Sequence, residues 1–292
     1  IVLSMALGLA GAWTCWAGTG AASCFAQSAL SYELHPSYAA WYACWALAWW
    51  GHRLIMGRVA KARGVVASLL VLLLVWTMML ASKSGVIGLA MVVGLLLVVL
   101  LRRAKGRGRW WALGGAAAAM LVAAWAQGPL VMLRMQAAVH AVERAAKGDP
   151  AVMSSADGND LRLVAWACSI DRLRHAPLGA GTGDIKHALM DCYHERGAEQ
   201  AAMRNLNSHS QFLQGAVALG WPGLVLTVLL ALVPIVCAWR RRHLPMLAFM
   251  GLFVVNAAVE SVLEVQAGVV FFALFLGLLA AGTDLRPNRP RP

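Results

Sequence analysis

Long apolar stretches separated by short basic segments dominate the pattern of hydrophobic and polar positions along the 292-residue chain. A helix needs about 20 apolar residues to cross a bilayer. The stretch 65–101 contains only Lys83 as a charge and would form a helix of about 55 Å, so we divide it at "ASKSG". The stretch 244–283 is divided in the same way around "ESVLEVQAG". The pattern predicts eight membrane-spanning helices, near residues 3–19, 37–51, 65–81, 85–101, 110–127, 212–238, 245–259 and 267–282.

Composition agrees with this pattern, since 60% of the residues are hydrophobic and 13% are charged, against about 25% charged residues in soluble domains. Mean hydropathy is +0.66. The sequence therefore predicts an all-α integral membrane protein. Its predicted parts are transmembrane helices 1–5 in residues 1–127, a large helical loop in 128–211, helices 6–8 in 212–282 and a tail in 283–292.

Basic residues orient the predicted helices, because Lys and Arg in short loops remain on the cytoplasmic side. They cluster at 53–63, 102–109, 240–242 and 286–291, and eight spans place all four clusters on one face. Both chain ends are then cytoplasmic, and 128–211 lies outside with nine basic and nine acidic residues. The net charge of +12 belongs to the cytoplasmic loops, where it favours orientation and contact with anionic headgroups over nucleic-acid binding.

Two helices are predicted in the outer segment. "GPLVMLRMQAAVHAVERAAKGDP" has apolar positions at helical spacing and ends at Gly148 and Pro150. The second helix has Asp157 or Asn159 as its N-cap and stops before Pro177. Its predicted buried stripe consists of Leu161, Val164, Ala165, Cys168 and Leu173.

Several ionisable side chains in or beside the apolar stretches are candidates for chemistry. Arg162 lies in the first turn of its helix, where the dipole favours an acid, which hints at an anionic group opposite. Lys83 could equally be a snorkelling anchor or a functional cation. Glu260 and Glu264 would share a helix face in an outward, solvated turn. If they are buried they need a cation, and we favour a structural pairing with Lys83 or Arg162.

His209 differs from the other histidines, because it lies where the outer segment re-enters the bilayer. Asn207, Ser208, Ser210 and Gln211 surround it. A polar collar of this kind would cost free energy in lipid, so we expect it to face a water-filled cavity. His35, in the first outer loop, is expected to be a solvated loop residue.

Two further patterns have weaker implications. "GAGTG" at 179–183 does not follow a strand, so a tight turn is favoured over a nucleotide loop, although its backbone N–H groups could hold an anion. The six Cys show no metal-binding spacing. Cys168 and Cys192 share the outer segment, where an oxidising compartment would permit a disulfide.

The segment "HSQFLQGAVALGWPG" has His209-Ser210, nine residues and then Gly220-Trp221-Pro222-Gly223. It resembles the His-[Asn/Ser/Gln]-nine-Gly-x-x-Gly pattern of the O-antigen ligase superfamily, the polytopic glycosyltransferases of bacterial envelopes. "ASKSGVIGL", "RLVAWACSIDRLRHAPLGAGTGD" and "ESVLEVQAGVVFFALFLGLL" resemble three further features of that family in its order. The resemblance covers roughly residues 65–282.

The resemblance implies a GT-C-like bundle of about twelve helices, of which this chain would lack about four at its start. It implies a donor glycan on undecaprenyl pyrophosphate, a lipid A-core acceptor and a site on the periplasmic face of the inner membrane. His209 is then the general base, Arg162 clamps the pyrophosphate, and Lys83 and Gly181 contact substrate. Glu260, Glu264 and His35 would be supporting residues. The family usually has Arg at the position of Lys83, and Lys lacks the bidentate fork.

We expect an inverting glycosyltransferase with no cofactor and no metal, acting as an O-antigen ligase in lipopolysaccharide biosynthesis. Alternatives within the superfamily are an O-antigen or exopolysaccharide polymerase and a protein O-oligosaccharyltransferase. Because the latter often carries extra soluble sequence after its last helix, the end of this chain favours the ligase. A transporter is a third alternative, although no internal repeat supports it.

Overall fold

The computed structural model describes residues 2–25, 30, 31, 34–103, 114 and 132–284. Regular structure in these ranges is helical, and no strand occurs in them. Short 3-10 turns lie at Ala22–Phe25, Ala60–Ala62 and Val262–Glu264. The helices are α1 (Val2–Thr19), α2 (Pro36–Ile55), α3 (Arg63–Met79), α4 (Lys83–Arg103), α5 (132–146), α6 (Ala151–Ser154), α7 (Gly158–His175), α8 (Ile185–Glu195), α9 (Glu199–Met203), α10 (Gln211–Arg240), α11 (Leu244–Val259) and α12 (Gln266–Asp284).

Helices occupy the positions predicted for membrane spans, except that 110–127 lies outside the described residues apart from residue 114. Both long apolar stretches divide where predicted, since α3 ends at Met79 and α11 ends at Val259. In the described part of the chain, Ala60–Met79, α4 and α10 are long and apolar enough to cross a membrane, and α11 and α12 are apolar but shorter. The count of eight spans stays a prediction.

The helix α10 is sharply bent within the span predicted over 212–238. Gly220 interrupts it with φ 64° and ψ −147°. A Cβ on Gly223 would collide with the carbonyl oxygen of Gly215, although residues eight apart are separated by about 12 Å along a straight helix. The first segment therefore folds back against the second. About 20 residues follow the bend, and they reach about 30 Å, the thickness of a bilayer core.

The chain forms two compact units. Unit 1 comprises Ile1–Met132 and His243–Leu252. Its described core surrounds α2, where Phe249 lies 6.4 Å from Trp41 and 5.1 Å from Trp45 between ring centroids. Small residues bring α2 and α4 together, since a Cβ on Gly85 would lie 2.6 Å from the Cβ of Ala40. Such contacts are typical of packing between membrane helices.

Unit 2 comprises Leu133–Arg242 and Phe253–Pro292. Both helices predicted in the outer segment are found. The first ends at a glycine cap, where Gly148 has φ 70° and the Asp149 N–H donates to the carbonyl of Arg144. In the second, α7, Asp157 is the N-cap and accepts from the Asn159 N–H. The sequence did not predict α8 and α9.

The core of unit 2 is built on the predicted stripe of α7, all of which is buried. Leu189 and Tyr193 of α8 pack against this stripe, together with Ala201 of α9. Cys168 and Cys192 form a disulfide across the same core, with their Cα atoms 5.8 Å apart. The core thus fixes the helix that carries Arg162.

Candidate active site

A tight loop between α9 and α10 presents His209. Its backbone has φ 44°, and its N–H donates to Oδ1 of Asn207 over 2.9 Å. The Ser208 N–H donates to Oε1 of Gln214 over 3.1 Å. A positive φ at a non-glycine residue is uncommon, and such residues cluster at functional sites. The side chains of the loop thus hold the backbone in a conformation that exposes 22% of the imidazole.

Three of the four polar neighbours that were predicted to face a water-filled cavity are buried, whereas Asn207 is half-buried. Ser208, Ser210 and Gln211 are buried. Gln211 accepts from the Leu263 N–H over 2.7 Å, and Ser210 Oγ donates to the carbonyl of Ala257 over 3.4 Å. Buried amide and hydroxyl groups need such partners. These side chains therefore join the His209 loop to the last turn of α11 and to the segment that follows it.

The two glutamates of the final hairpin lie in different environments, which corrects the predicted common face. Because α11 ends at Val259, the four-residue spacing does not follow a helix. Glu260 is buried, and its carbonyl accepts from the Gln211 N–H over 3.1 Å. Glu264 lies exposed in a 3-10 turn. Only Glu260 therefore points to a role in the site.

Two side chains distant in sequence meet at the carboxylate of Glu260. Its Oε1 forms an ion pair with Nη2 of Arg162. Its Oε2 lies 3.5 Å from Nδ1 of His209, an ion pair when the imidazole is protonated. The favoured pairing of Glu260 with Arg162 is thus present. The side chains are 11% exposed for Glu260 and 27% exposed for Arg162, so both retain a path to solvent.

The helix α7 makes a second contact with the same loop. Trp166, one helical turn after Arg162, donates from Nε1 to the carbonyl oxygen of His209 over 3.1 Å. Side chains four residues apart share a helix face. One face of α7 therefore contacts both the histidine loop and the carboxylate beside it, and this geometry explains the Arg-x-x-x-Trp spacing.

A protein-family model described as O-Antigen ligase matches residues 68–228, more than half of the chain. The chain belongs to the O-antigen ligase family. The matched range contains Arg162 and His209, whereas Glu260 lies beyond it. No curated protein and no solved structure matches the chain.

Arg134 is a second cation whose positive charge lies near Arg162. Burial and then the nearby positive charge of Arg162 lower the pKa of Arg134, which lies half-buried on α5. Arg144 of the same helix binds Asp160 at the start of α7 with two hydrogen bonds of 2.9 and 2.7 Å, and Asp160 is fully buried. This ion pair anchors α5 to α7. Arg134 therefore belongs to the electrostatic surroundings of the site.

The glycine loop after α7 packs against the bend of α10. The N–H groups of Ala180 and Gly181 donate to the carbonyls of Val217 and Ala218, both over 2.9 Å, and the Trp221 N–H donates to the carbonyl of Pro177. The favoured tight turn is thus observed. The N–H of Gly181 already donates to the carbonyl of Ala218. The proposed substrate contacts of this O-antigen ligase family member therefore do not include Gly181.

Lys83 and His35 belong to unit 1. Lys83 begins α4, next to Ser82, whose Oγ lies 3.2 Å from that of Ser84 and donates to that of Ser37 over 3.4 Å. His35 caps α2, because its Nδ1 accepts from the Ser37 N–H over 3.3 Å. This contact gives His35 a structural role. The substrate contact of Lys83 stays a proposal.

Proposed function

We propose that this protein is a ligase that transfers a glycan from undecaprenyl pyrophosphate to the lipid A-core oligosaccharide. The convergence of Arg162 and His209 on Glu260 carries this proposal, because it joins a cation, a base and a carboxylate in one place. Membership of the O-antigen ligase family supports a glycan substrate of this class.

In the proposed reaction the acceptor hydroxyl attacks the anomeric carbon of the donor sugar. The new glycosidic bond forms as the bond from that carbon to the pyrophosphate oxygen breaks, with inversion. The acceptor proton passes to His209. Base catalysis by a positioned side chain contributes about 10²- to 10⁴-fold. The contact between Nδ1 of His209 and Glu260 leaves Nε2 as the nitrogen that would accept this proton.

Cations stabilise the negative charge that develops on the leaving pyrophosphate. We assign this role to Arg162, with Lys83 as a second cation. Arg134 joins them in the proposal, because it lies within the electrostatic influence of Arg162. A phosphate entering the site would compete with Glu260 for the Arg162 guanidinium, which forms charge-assisted hydrogen bonds with either group.

The proposed location is the inner membrane, with 128–211 and the site on the periplasmic face. The basic clusters support this orientation. Fusions of a reporter that is active only outside the cytoplasm test it. Activity is expected after Gly197, between α8 and α9, and not after Gly57, beyond the end of α2. The reverse pattern would overturn the orientation.

Complementation of a ligase-deficient strain tests the mechanism, with lipopolysaccharide gels as the readout. His209→Ala and Arg162→Ala are expected to abolish capping of the core. Matched controls are His187→Ala, whose ring is 84% exposed, and Arg174→Ala, also exposed. Normal capping by both site variants at normal protein levels would refute the mechanism.

Two further measurements test which transfer reaction the protein catalyses and whether the reaction needs a metal. For a ligase, a strain lacking the protein is expected to accumulate long lipid-linked polymer. Accumulation of single repeat units would indicate a polymerase, and loss of glycan from protein serines alone would indicate a protein O-oligosaccharyltransferase. For metal dependence, a purified reaction should keep its rate in a chelator. A loss of rate restored by a divalent ion would refute metal independence.

A further inference from the structure

A group of basic side chains gathers at one end of unit 1. The helices α2 and α4 run in the same direction, because a Cβ on Gly85 would meet Ala40 and one on Gly51 would meet Leu96. The helix α11 runs the opposite way, since Gly88 faces Leu252 while Gly251 faces Met91, further along α4. The last turns of α2 and α4 and the start of α11 therefore lie at the same end.

Five residues from these termini form what we call the basic cluster, namely His52, Arg53, Arg58, Arg103 and His243. The pKa of His52 is lowered by burial and by the positive charges of the other four members. Three separate parts of the chain thus bring their positive charges within range of one imidazole.

The basic cluster also contains a cation held above aromatic rings. The guanidinium of Arg53 lies 5.7 Å from the ring centroid of Trp49 and 5.9 Å from that of Trp50. Its Nε is buried without a hydrogen-bond partner. Tryptophan is enriched at the headgroup level of membranes. The arrangement therefore suits an anionic ligand at the bilayer surface.

Carboxylates of unit 1 do not balance this charge. The sequence of Ile1–Met132 and His243–Leu252 contains ten Lys and Arg but one acidic residue, Glu33. The partial negative charges at the C-termini of α2 and α4 stabilise nearby cations. The sequence of unit 1 therefore carries a net positive charge.

We propose that the basic cluster binds the phosphate group of an anionic phospholipid, of the phosphatidylglycerol or cardiolipin class. Basic sites between helices at this level of the bilayer favour such headgroups. The neighbouring indoles would contact the glycerol and upper acyl region. The site is independent of the glycan-transfer chemistry, since none of its residues takes part in the proposed reaction.

The test uses the purified full chain in an uncharged detergent, with its thermal unfolding midpoint followed during titration with phosphatidylglycerol or phosphatidylcholine. Phosphatidylglycerol is expected to raise the midpoint saturably, and phosphatidylcholine is not. The double variant Arg58→Gln/Arg103→Gln changes two exposed side chains, so it should fold. Its apparent affinity for phosphatidylglycerol is expected to fall roughly fivefold for each charge removed.

The matched control is Lys61→Gln/Arg102→Gln, which removes two exposed charges beside the basic cluster but outside it. It should bind phosphatidylglycerol like the wild type. Equal weakening by both pairs would show a diffuse surface effect and overturn the proposal. Equal responses to the two lipids would overturn it as well. An equal rise with inorganic phosphate at the same phosphate concentration would identify a free-phosphate site and refute the lipid assignment.

Discussion

The carboxylate of Glu260 lies 3.5 Å from Nδ1 of His209, and the two residues come from segments on opposite sides of α10 and α11. The same carboxylate pairs with Arg162. A neighbouring carboxylate favours the imidazole tautomer that carries its proton on the facing nitrogen. Glu260 can therefore orient the proposed base, His209, and also hold Arg162, the proposed pyrophosphate-binding cation, in place before substrate binds.

Glu260→Gln tests this relationship, because the amide keeps the size of the side chain and removes its charge. We expect glycan transfer to fall about 10²-fold, the scale of a base that is present but wrongly oriented. Transfer is measured with purified protein, and the amount of folded protein is measured in parallel. Glu264→Gln is the control, since Glu264 is exposed. A wild-type rate in Glu260→Gln would remove Glu260 from the mechanism.

Substitution in the glycine loop is expected to loosen the contact between α7 and α10. Gly179 has φ 86°, and a Cβ there would lie 2.5 Å from the backbone nitrogens of Leu219 and Gly220. Gly179→Ala should therefore cost stability on the order of 1–3 kcal/mol. Gly183→Ala, in the same loop, has nothing within 4 Å of its Cβ and should unfold like the wild type. Thermal unfolding of both variants measures the difference, and equal midpoints would contradict a steric role for Gly179.

The disulfide between Cys168 and Cys192 closes a loop with a sequence separation of 24. Cross-links of this loop length contribute about 3 kcal/mol by the chain-entropy estimate. We expect Cys168→Ala/Cys192→Ala to lower the unfolding midpoint, and a reductant to lower the wild-type midpoint similarly. A second disulfide joins Cys15 and Cys24 in unit 1, so the variant should respond to reductant only through that bond. A full reductant response in the double variant would show that another bond is responsible.

Much of unit 2 follows from local sequence rules. The stop at Gly148 and the buried stripe of α7 depend on residues within a few positions of one another, so periodicity and capping chemistry predicted them. The cap at Asp157 is one of the two candidates that the sequence offered. The spacing of His209 and Gly220 likewise indicated the family that the comparison shows.

The remaining features depend on contacts between distant segments. Glu260 and Glu264 have the same local pattern, and only the end of α11 and the approach of Arg162 distinguish them. The sharpness of the bend at Gly220 depends on the close approach of Gly215 and Gly223. The local sequence around Arg134 does not indicate that it lies near the site. Its proximity to Arg162 follows from the ion pair between Arg144 and Asp160.

Trp166 is expected to position the histidine loop through one hydrogen bond. Trp166→Phe keeps an aromatic ring on α7 and removes the Nε1–H that donates to the carbonyl of His209 over 3.1 Å. A neutral hydrogen bond contributes about 1 kcal/mol, so a roughly fivefold loss of transfer rate is expected if the bond holds His209 in place. The loss should appear in kcat with KM little changed, because the indole does not bind substrate in this mechanism. Trp239→Phe, whose side chain is 73% exposed, is the control and should retain the wild-type rate. An unchanged kcat in Trp166→Phe would show that the loop keeps its conformation without this bond, and a rise in KM alone would assign Trp166 to substrate binding instead.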